Sequence, residues 1–546
     1  MYRILLTVVA TLFVLTHGSA GAQNSLSAVA IESRLAAGES RDYVVDANAA
    51  EYLTIVVEST GVGVDAQVAM PDGTLLKRFS GPPTGRLAIT FVAEPAGPHR
   101  IRLTGKGSTS GGQVSIRVAE RTSLEQRLTA TPAPVKGAVI AALEQELQAG
   151  TFPDTATFWD RIARSRTPVV EVLQETKDLV HVTFLWRGTP DTKNVVVVGS
   201  LSLPPGFRNN IMSRVGDTDV WFVTKRLPAG ARFAYGFAIN GPLIFEGPLF
   251  ASQVANRQAD PFNPVKAACA PGGTRFECLS LAELPGALPQ PWMVPSPTTP
   301  KGTVTARRIK SERLQNERSV SVFTPAGYEA SKGDLDLLVL FDESMYLADI
   351  ATPTILDNLI AAQKIRPLVA VLVGNVNRDR ELTANPEFAD FVAHELMPWV
   401  RANHRVSKDP RRVIIGGSSL GGLAAAHVAM RYPATFGNVI TLSGSFWWAP
   451  GARPGDPANA ALEPGWLTRE YLRSPVLPLR FWMAAGTFEA DPTGSGGGVL
   501  ETSRHFRDVL LAKGYAVRYV QYPGGHDALS WRGLLPEALM ALTSAR

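Results

Sequence analysis

Arg412-Val-Ile-Ile-Gly-Gly-Ser-Ser-Leu-Gly-Gly-Leu-Ala-Ala-Ala-His-Val-Ala-Met-Arg431 is the stretch whose reading decides the fold of the C-terminal half of this chain. Val413 to Ile415 is a short β-branched run of the kind that makes a buried strand. Leu420 to Arg431 is Ala-rich and apolar, a helix-forming segment that stops before Pro433. Between them Gly417-Ser418-Ser419-Leu420-Gly421 has the form G-x-S-x-G. In such a turn the central serine is lifted clear of the sheet. The residues two before and two after it must be small, because strand and helix backbones pass close together. A strand before and a helix after separate this pattern from a chance Gly/Ser turn. Ser419, not Ser418, is the candidate nucleophile.

Working outward, residues 302–546 alternate strand and helix. Strands are expected at Val320–Thr324, Leu335–Phe341, Leu368–Val373, Val413–Ile415, Val439–Leu442, Leu479–Ala485 and Ala516–Tyr522. The segment Pro386 to Val400 carries Phe388, Val392, Leu396 and Trp399 at helical spacing, with Pro398 predicting a kink. This alternation predicts a mostly parallel sheet with helices on both faces and a site beyond the carboxyl ends of its strands.

A serine hydroxyl needs a base, and the base needs an orienting acid. In α/β-hydrolases the chain order is Ser, then Asp or Glu, then His. After Ser419 the histidines are His427, His505 and His526. His427 lies inside the elbow's own helix, and His505 on an amphipathic, solvated helix face. His526 sits in Pro523-Gly-Gly-His-Asp527, a loop at a strand end where an exposed imidazole is expected, and is the candidate base. Phe481-Trp-Met-Ala-Ala-Gly-Thr-Phe-Glu-Ala-Asp491 supplies two carboxylates; Glu489, nearer the strand end, is preferred over Asp491 as the acid. The oxyanion of acyl transfer needs two donors. Leu420 N–H is the expected first donor, and the second is expected from one N–H of the loop Asp342-Glu343-Ser344-Met345, with Glu343 the candidate.

At 546 residues the chain is too long for one core. Its 45% hydrophobic and 19% charged residues are an ordinary globular composition. A formal charge of +5 without Lys/Arg blocks or stacking platforms argues against nucleic acid as a partner. Residues 1–22 have a charged Arg3, an apolar run from Ile4 to Leu15 and Ala20-Gly21-Ala22, the pattern of a cleaved export signal. A periplasmic or secreted location, without stable membrane insertion after cleavage, is therefore expected. The two cysteines, Cys269 and Cys278, are expected to pair in an oxidising compartment, a bridge worth ~2.5–3 kcal/mol.

Residues 26–122 read as a β-sandwich, from β-rich runs such as Tyr52 to Glu58 and Val114 to Val118 separated by turns such as Pro71-Asp72-Gly73. The phrase Asp65-Ala-Gln-Val-Ala-Met-Pro-Asp-Gly73 resembles the bacterial prepeptidase C-terminal β-sandwich family. Residues 123–165 read as a helical linker around Ala138 to Leu147. Residues 166–255 read as a small Ig-like sandwich, whose runs include Val180 to Trp186, Asn194 to Val198, Asp219 to Thr224 and Arg232 to Phe237. Residues 256–301 are rich in proline and read as a semi-rigid, extended connector rather than a packed element. The fold class is thus multidomain, two N-terminal β-sandwich domains followed by a C-terminal α/β-hydrolase fold.

From about Val180 onward the chain resembles the enterochelin esterase family, serine hydrolases that open the tri-ester backbone of catecholate siderophores. The resemblance rests on Thr183-Phe-Leu-Trp-Arg187, Thr218-Asp-Val-Trp221, Asp260-Pro-Phe-Asn-Pro264, Pro289-Gln-Pro-Trp292 and Asn316-Glu-Arg318. It continues through Arg380-Glu-Leu-Thr383, Gly416-Gly-Ser-Ser-Leu-Gly-Gly422, Ser443-Gly-Ser-Phe-Trp-Trp448, Gly486-Thr-Phe-Glu489 and Gly524-Gly-His526. It implies a Ser419, His526, Glu489 triad and a β domain that helps roof the pocket. It also implies that Trp447 or Trp448, with Arg187 and Arg380, meets an aromatic, anionic ligand. The family usually has Asp-Gly where this chain has Asp342-Glu343, so a side chain at 343 is expected to narrow the pocket or shift the second donor.

The resulting expectation is an exported esterase acting on a ferric catecholate siderophore, with no cofactor and no metal in its machinery; iron enters only with the substrate. A feruloyl- or acetyl-type carbohydrate esterase of the same fold is the alternative. A binding protein on a hydrolase scaffold is a third reading, opposed by the intact triad candidates.

Overall fold

The structure, a computed structural model, describes residues 25–93, 95–107, 111–128, 135–150, 154–174, 176–202, 206–241, 243, 257–267, 279–330, 332–452, 465–491 and 497–543. The leader expected at 1–22 and the pair Cys269 and Cys278 lie outside the described residues. Two compact units divide the chain, Met1–Arg127 and Leu128–Arg546.

The first unit has two four-stranded antiparallel sheets. One runs in the order Ile31–Leu35, Gly112–Thr122, Tyr52–Thr60, Gly85–Val92; the other Ser40–Ala47, Gly97–Lys106, Gly63–Ala69, Leu75–Ser80. Period-two alternation builds its core. Along Gly97–Lys106, His99, Ile101 and Leu103 are buried while Arg100 and Arg102 face solvent. Val45, Val57, Val68, Ile89 and Ile116, drawn from both sheets, join the same cluster.

The second unit opens with the helices Ala138–Gln148 and Ala156–Ser165. Ile140, Leu143, Phe158, Trp159 and Ile162 pack against Leu185, Val220 and Phe222. These last three are the outward residues of Leu179–Arg187 and Val220–Pro228; their neighbours Phe184, Trp221 and Val223 face a second core. That core is shared between a four-stranded sheet and the three-stranded sheet Val195–Gly199, Arg232–Ile239, Ser280–Glu283.

Part of the segment expected to be an extended connector is packed instead. Asp260 is fully buried and accepts a 2.7 Å hydrogen bond from the Tyr235 hydroxyl. Asn263 donates to the same hydroxyl at 3.1 Å, and Phe262 stacks on Trp159 at 5.2 Å. The reason is polar satisfaction: a buried tyrosine hydroxyl needs partners, and Asp260 and Asn263 supply them.

Residues beyond Gly302 form an eight-stranded sheet in the order Thr303–Ser311, Asn316–Thr324, Leu368–Val373, Asp336–Phe341, Val413–Ser418, Asn438–Leu442, Arg480–Gly486, Ala516–Tyr522. The first two strands pair antiparallel with each other, the second pairs antiparallel with Leu368–Val373, and the other pairings are parallel. Thr303–Ser311 was not expected; it is a largely exposed edge strand with little apolar signal. Central strands are buried on both faces, as parallel strands under two helical layers must be. Leu337, Val339 and Phe341 face one core, which holds Leu423 of the elbow helix, Phe388, Val392 and Phe506. Leu338 and Leu340 face the other, with Ile355, Leu359, Leu535 and Leu539. The predicted kink at Pro398 takes the form of a π-turn, Val392–Leu396, between the helical segments Pro386–Phe391 and Met397–Asn403. Proline has no N–H for the ladder, and a widened turn accommodates that loss. Among the described residues no helix is long and apolar enough to cross a membrane.

Candidate active site

The elbow strand runs to Ser418 and its helix, Leu420–Arg431, begins one residue later. Ser419 between them has φ 57° and ψ −125°, a backbone state that side-chain-bearing residues adopt only under tight local constraint. Gly417 shows why: a Cβ there would lie 2.6 Å from the Gly421 carbonyl carbon. Ser418 is wholly buried, whereas Ser419 is half-buried and within 3.4 Å of the Ser445 hydroxyl.

Three elements bring the other candidates together. Glu489 ends the turn Thr487–Glu489 that follows Arg480–Gly486, and is fully buried. One carboxylate oxygen accepts the Gly486 N–H at 2.5 Å; the other lies 2.5 Å from His526 Nδ1. His526 follows Ala516–Tyr522 and packs edge-on against Trp531, with ring centroids 5.0 Å apart. With Nδ1 held by a carboxylate, Nε2 is left to exchange a proton with a hydroxyl. Among the described residues no hydrogen bond joins Ser419 to His526; such contacts often tighten only when substrate binds. Asp491, the rival acid, is half-buried, and its backbone N–H donates to Glu501 at 3.1 Å.

One expectation is corrected here. His526 is not an exposed loop residue but only 7% accessible. Its loop is pressed against the β domain. Ser200 donates to the carboxylate of Asp527, and a Cβ on Gly525 would come within 1.6 Å of the Ser200 carbonyl oxygen.

The other two histidines behave as expected. His505 is exposed. His427 is buried within the elbow helix near Trp466, and its burial, with help from Arg431, pulls its pKa down to about 4.

Leu420 N–H opens the elbow helix and Glu343 N–H opens the short helix Glu343–Ala348, where first-turn N–H groups lack intrahelical acceptors. The Glu343 side chain turns toward the neighbouring strand Asn316–Thr324. Its carboxylate accepts from Ser319 and, at 2.6 Å, from Ser321. Asp342, in the left-handed region at φ 62°, is held bidentately by Arg378 at 2.7 and 2.9 Å.

The ligand-contact candidates fare unevenly. Arg187 is engaged by Asp219 at 2.8 Å and lies over Trp159. Arg380, largely exposed, pairs loosely with Glu387 at 3.4 Å. Trp448 is core, edge-on to Trp466, while Trp447 is half-buried just after Ser445. Sequence reading missed Ser445, Arg378, Ser200 and Asp527. Asp527 had a signal, because it adjoins His526; the others become visible only through the fold.

The N-terminal enterochelin esterase family model matches residues 181–293, and the Esterase family model matches 311–542. The chain thus carries an enterochelin esterase N-terminal domain followed by an esterase domain. It is a serine esterase, a carboxylic ester hydrolase. This esterase is 27% identical over 416 residues to the iron(III) salmochelin esterase of Escherichia coli, covering 73% of this chain and 96% of that one. It is 29% identical over 392 residues to an iron(III) enterobactin esterase of E. coli, covering 67% and 92%. The crystal structure of the ferric enterobactin esterase of Salmonella typhimurium superposes with a TM-score of 0.58 at 27% identity, covering 71% of this esterase and 98% of that chain.

Proposed function

We propose that this esterase is exported, to the periplasm or beyond, and hydrolyses carboxylic ester bonds of a ferric catecholate siderophore through Ser419, His526 and Glu489. The carrying observation is the fully buried Glu489 carboxylate 2.5 Å from His526 Nδ1, on strand-end loops of the sheet that carries the Ser419 elbow. Strand order and elbow support an α/β-hydrolase reading of residues 302–546, and the paired sheets before it support two sandwich domains. Relatives named for iron(III) enterobactin and salmochelin supply the substrate class.

In the first half-reaction Ser419 Oγ attacks the ester carbonyl carbon while its proton passes to His526 Nε2. Glu489 stabilises the imidazolium that forms. The tetrahedral oxyanion is met by the N–H groups of Leu420 and Glu343. Collapse breaks the bond to the leaving alkoxide, which takes the proton from His526 and departs as an alcohol. Water, deprotonated by the same imidazole, then attacks the acyl-enzyme; the acid is released and Ser419 regains its proton. The half-buried Trp447 offers a catechol ring an aromatic face. Arg187 and Arg380 are already paired, so the cationic contact they were expected to make would require a ligand to displace Asp219 or Glu387.

Product chromatography after incubation with ferric enterobactin, its linear trimer and a feruloylated sugar tests this reading. Shortening of the siderophore backbone is the expected result; cleavage of the sugar ester alone would replace it with the carbohydrate-esterase reading. A serine-directed phosphonate should label Ser419, and failure of both labelling and turnover would leave a binding protein.

A further inference from the structure

The loop that carries His526 is held in part by a different domain. Asp527, fully buried, uses one carboxylate oxygen to accept the Ser530 N–H at 2.8 Å, an ordinary cap for the helix Ala528–Thr543. The other oxygen crosses the domain boundary. It accepts from the Ser200 hydroxyl, just past the strand Val195–Gly199, and from the Ala234 N–H, within Arg232–Ile239, at 3.3 Å. Ser200 is itself fixed, because its hydroxyl accepts the Ala234 N–H at 3.0 Å. Around this bond the backbones interlock. Arg232 N–H donates to Pro523 at 3.3 Å, Gly524 bridges to Arg232 as a β-partner, and Gly525 lies against the Ser200 carbonyl with no room for a Cβ.

The acid is tied into the same assembly. Phe488 N–H donates to the Gly524 carbonyl at 3.0 Å, and a Cβ on Gly486 would come within 2.3 Å of that oxygen. The Phe488 ring then packs into the β domain's own core, 6.3 Å from Phe233. Helix capping alone would need one oxygen of Asp527 and nothing of Ser200, Ala234 or Phe488.

We propose that the β domain built from Leu179–Arg187, Val195–Gly199, Val220–Pro228 and Arg232–Ile239 sets the reactive geometry of the acid–base pair, with Asp527 and Ser200 as the positioning residues. This assigns the domain a part in catalysis on any ester, beyond covering a bound siderophore. The inference rests on His526 and Glu489 being the base and acid. A misplacement of about 1 Å in a general base costs on the order of 100-fold in rate, so a buried hydrogen bond on the adjacent residue is a strong lever.

The test uses the full chain and two substrates, ferric enterobactin and a short-chain nitrophenyl ester too small to need the β domain for binding. Ser200→Ala removes one of the two cross-domain donors, the hydroxyl, without touching the helix cap. Asp527→Ser keeps a cap residue but shortens the reach to Ser200 and Ala234, and carries the test should Ser200→Ala fail to fold. Each is expected to lower kcat on the order of 10- to 100-fold on both substrates, with KM little changed. The rate at which the phosphonate labels Ser419 should fall in proportion. Gln290→Ala, which removes ties to Arg532 and to the Leu529 carbonyl, both at 2.8 Å and neither to Asp527 or Ser200, should leave kcat unaltered and so controls for general loosening. Folded variants with normal kcat on the nitrophenyl ester would overturn the inference, as would a loss confined to KM or to the siderophore. If wild-type protein neither turns over the nitrophenyl ester nor reacts at Ser419, the triad reading itself fails.

Discussion

Glu489 and Asp491 differ by two positions and by everything that matters to an acid partner. Glu489 is sealed from solvent and shared between the Gly486 N–H and His526, whereas Asp491 is half-buried beyond it. Glu489→Gln should lower kcat by on the order of 10²- to 10⁴-fold, since a neutral amide does not stabilise the imidazolium, while Asp491→Ala should leave steady-state kinetics close to wild type. A second residue-scale prediction concerns His427, buried in the elbow helix. Its folded pKa of about 4 lies below the ordinary histidine value, so the unfolded chain binds the proton first. The stability this contributes is fully present above about pH 6.5 and is lost as pH falls toward 4, a difference of about 3 kcal/mol. His427→Leu should therefore flatten the pH dependence of urea unfolding between those limits; an unchanged slope would assign the acid sensitivity elsewhere.

At the scale of elements, the elbow depends on two backbones passing at a distance that admits no side chain. Gly417→Val would push a branched side chain onto the Gly421 backbone, 2.6 Å from the Cβ position. A loss of about 1–3 kcal/mol in stability is expected from the overpacking, together with reduced phosphonate labelling of Ser419 in the protein that still folds. The same scale shows what a single chain reading misses. The central strand Leu368–Val373 carries an unbroken apolar run and was legible to the residue, as was the edge strand Ala516–Tyr522 with its Val517, Tyr519 and Val520. Thr303–Ser311 was not legible, because an exposed edge strand buries only Ile309 and Ser311 and owes its shape to pairing with Asn316–Thr324. Asp260 to Asn263 misled in the opposite sense. Its prolines read as a spacer, but the residues between them answer the buried hydroxyl of Tyr235.

For the whole molecule, Met1–Arg127 has its own closed core, drawn from both of its sheets. A chain beginning at Leu128 should therefore fold with the kcat of the full protein on a nitrophenyl ester; a large loss of kcat there would give the first unit a part in the site. The second unit is not divisible in that way. Glu489 and His526 are held by contacts with the β domain as well as by their own sheet, and removing that domain would expose Phe488 and leave Asp527 short of two donors.

Local signals established much of this protein. A serine between glycines, set between a β-branched run and an Ala-rich helix, is determined by close approach within ten residues. Strand ends that carry Glu489 and His526 in the required order follow from the apolar and aromatic runs Leu479–Ala485 and Ala516–Tyr522 and the turns after them. What only the tertiary structure decided is burial and the partners of charge. His526 lies inside rather than outside, Arg187 belongs to Asp219, and the Glu343 carboxylate turns to Ser319 and Ser321. Ser200 and Asp527 meet across 327 positions. A hydrogen bond between residues so far apart leaves no periodicity in the sequence, because its energy comes from a desolvated contact that exists only once both domains have folded.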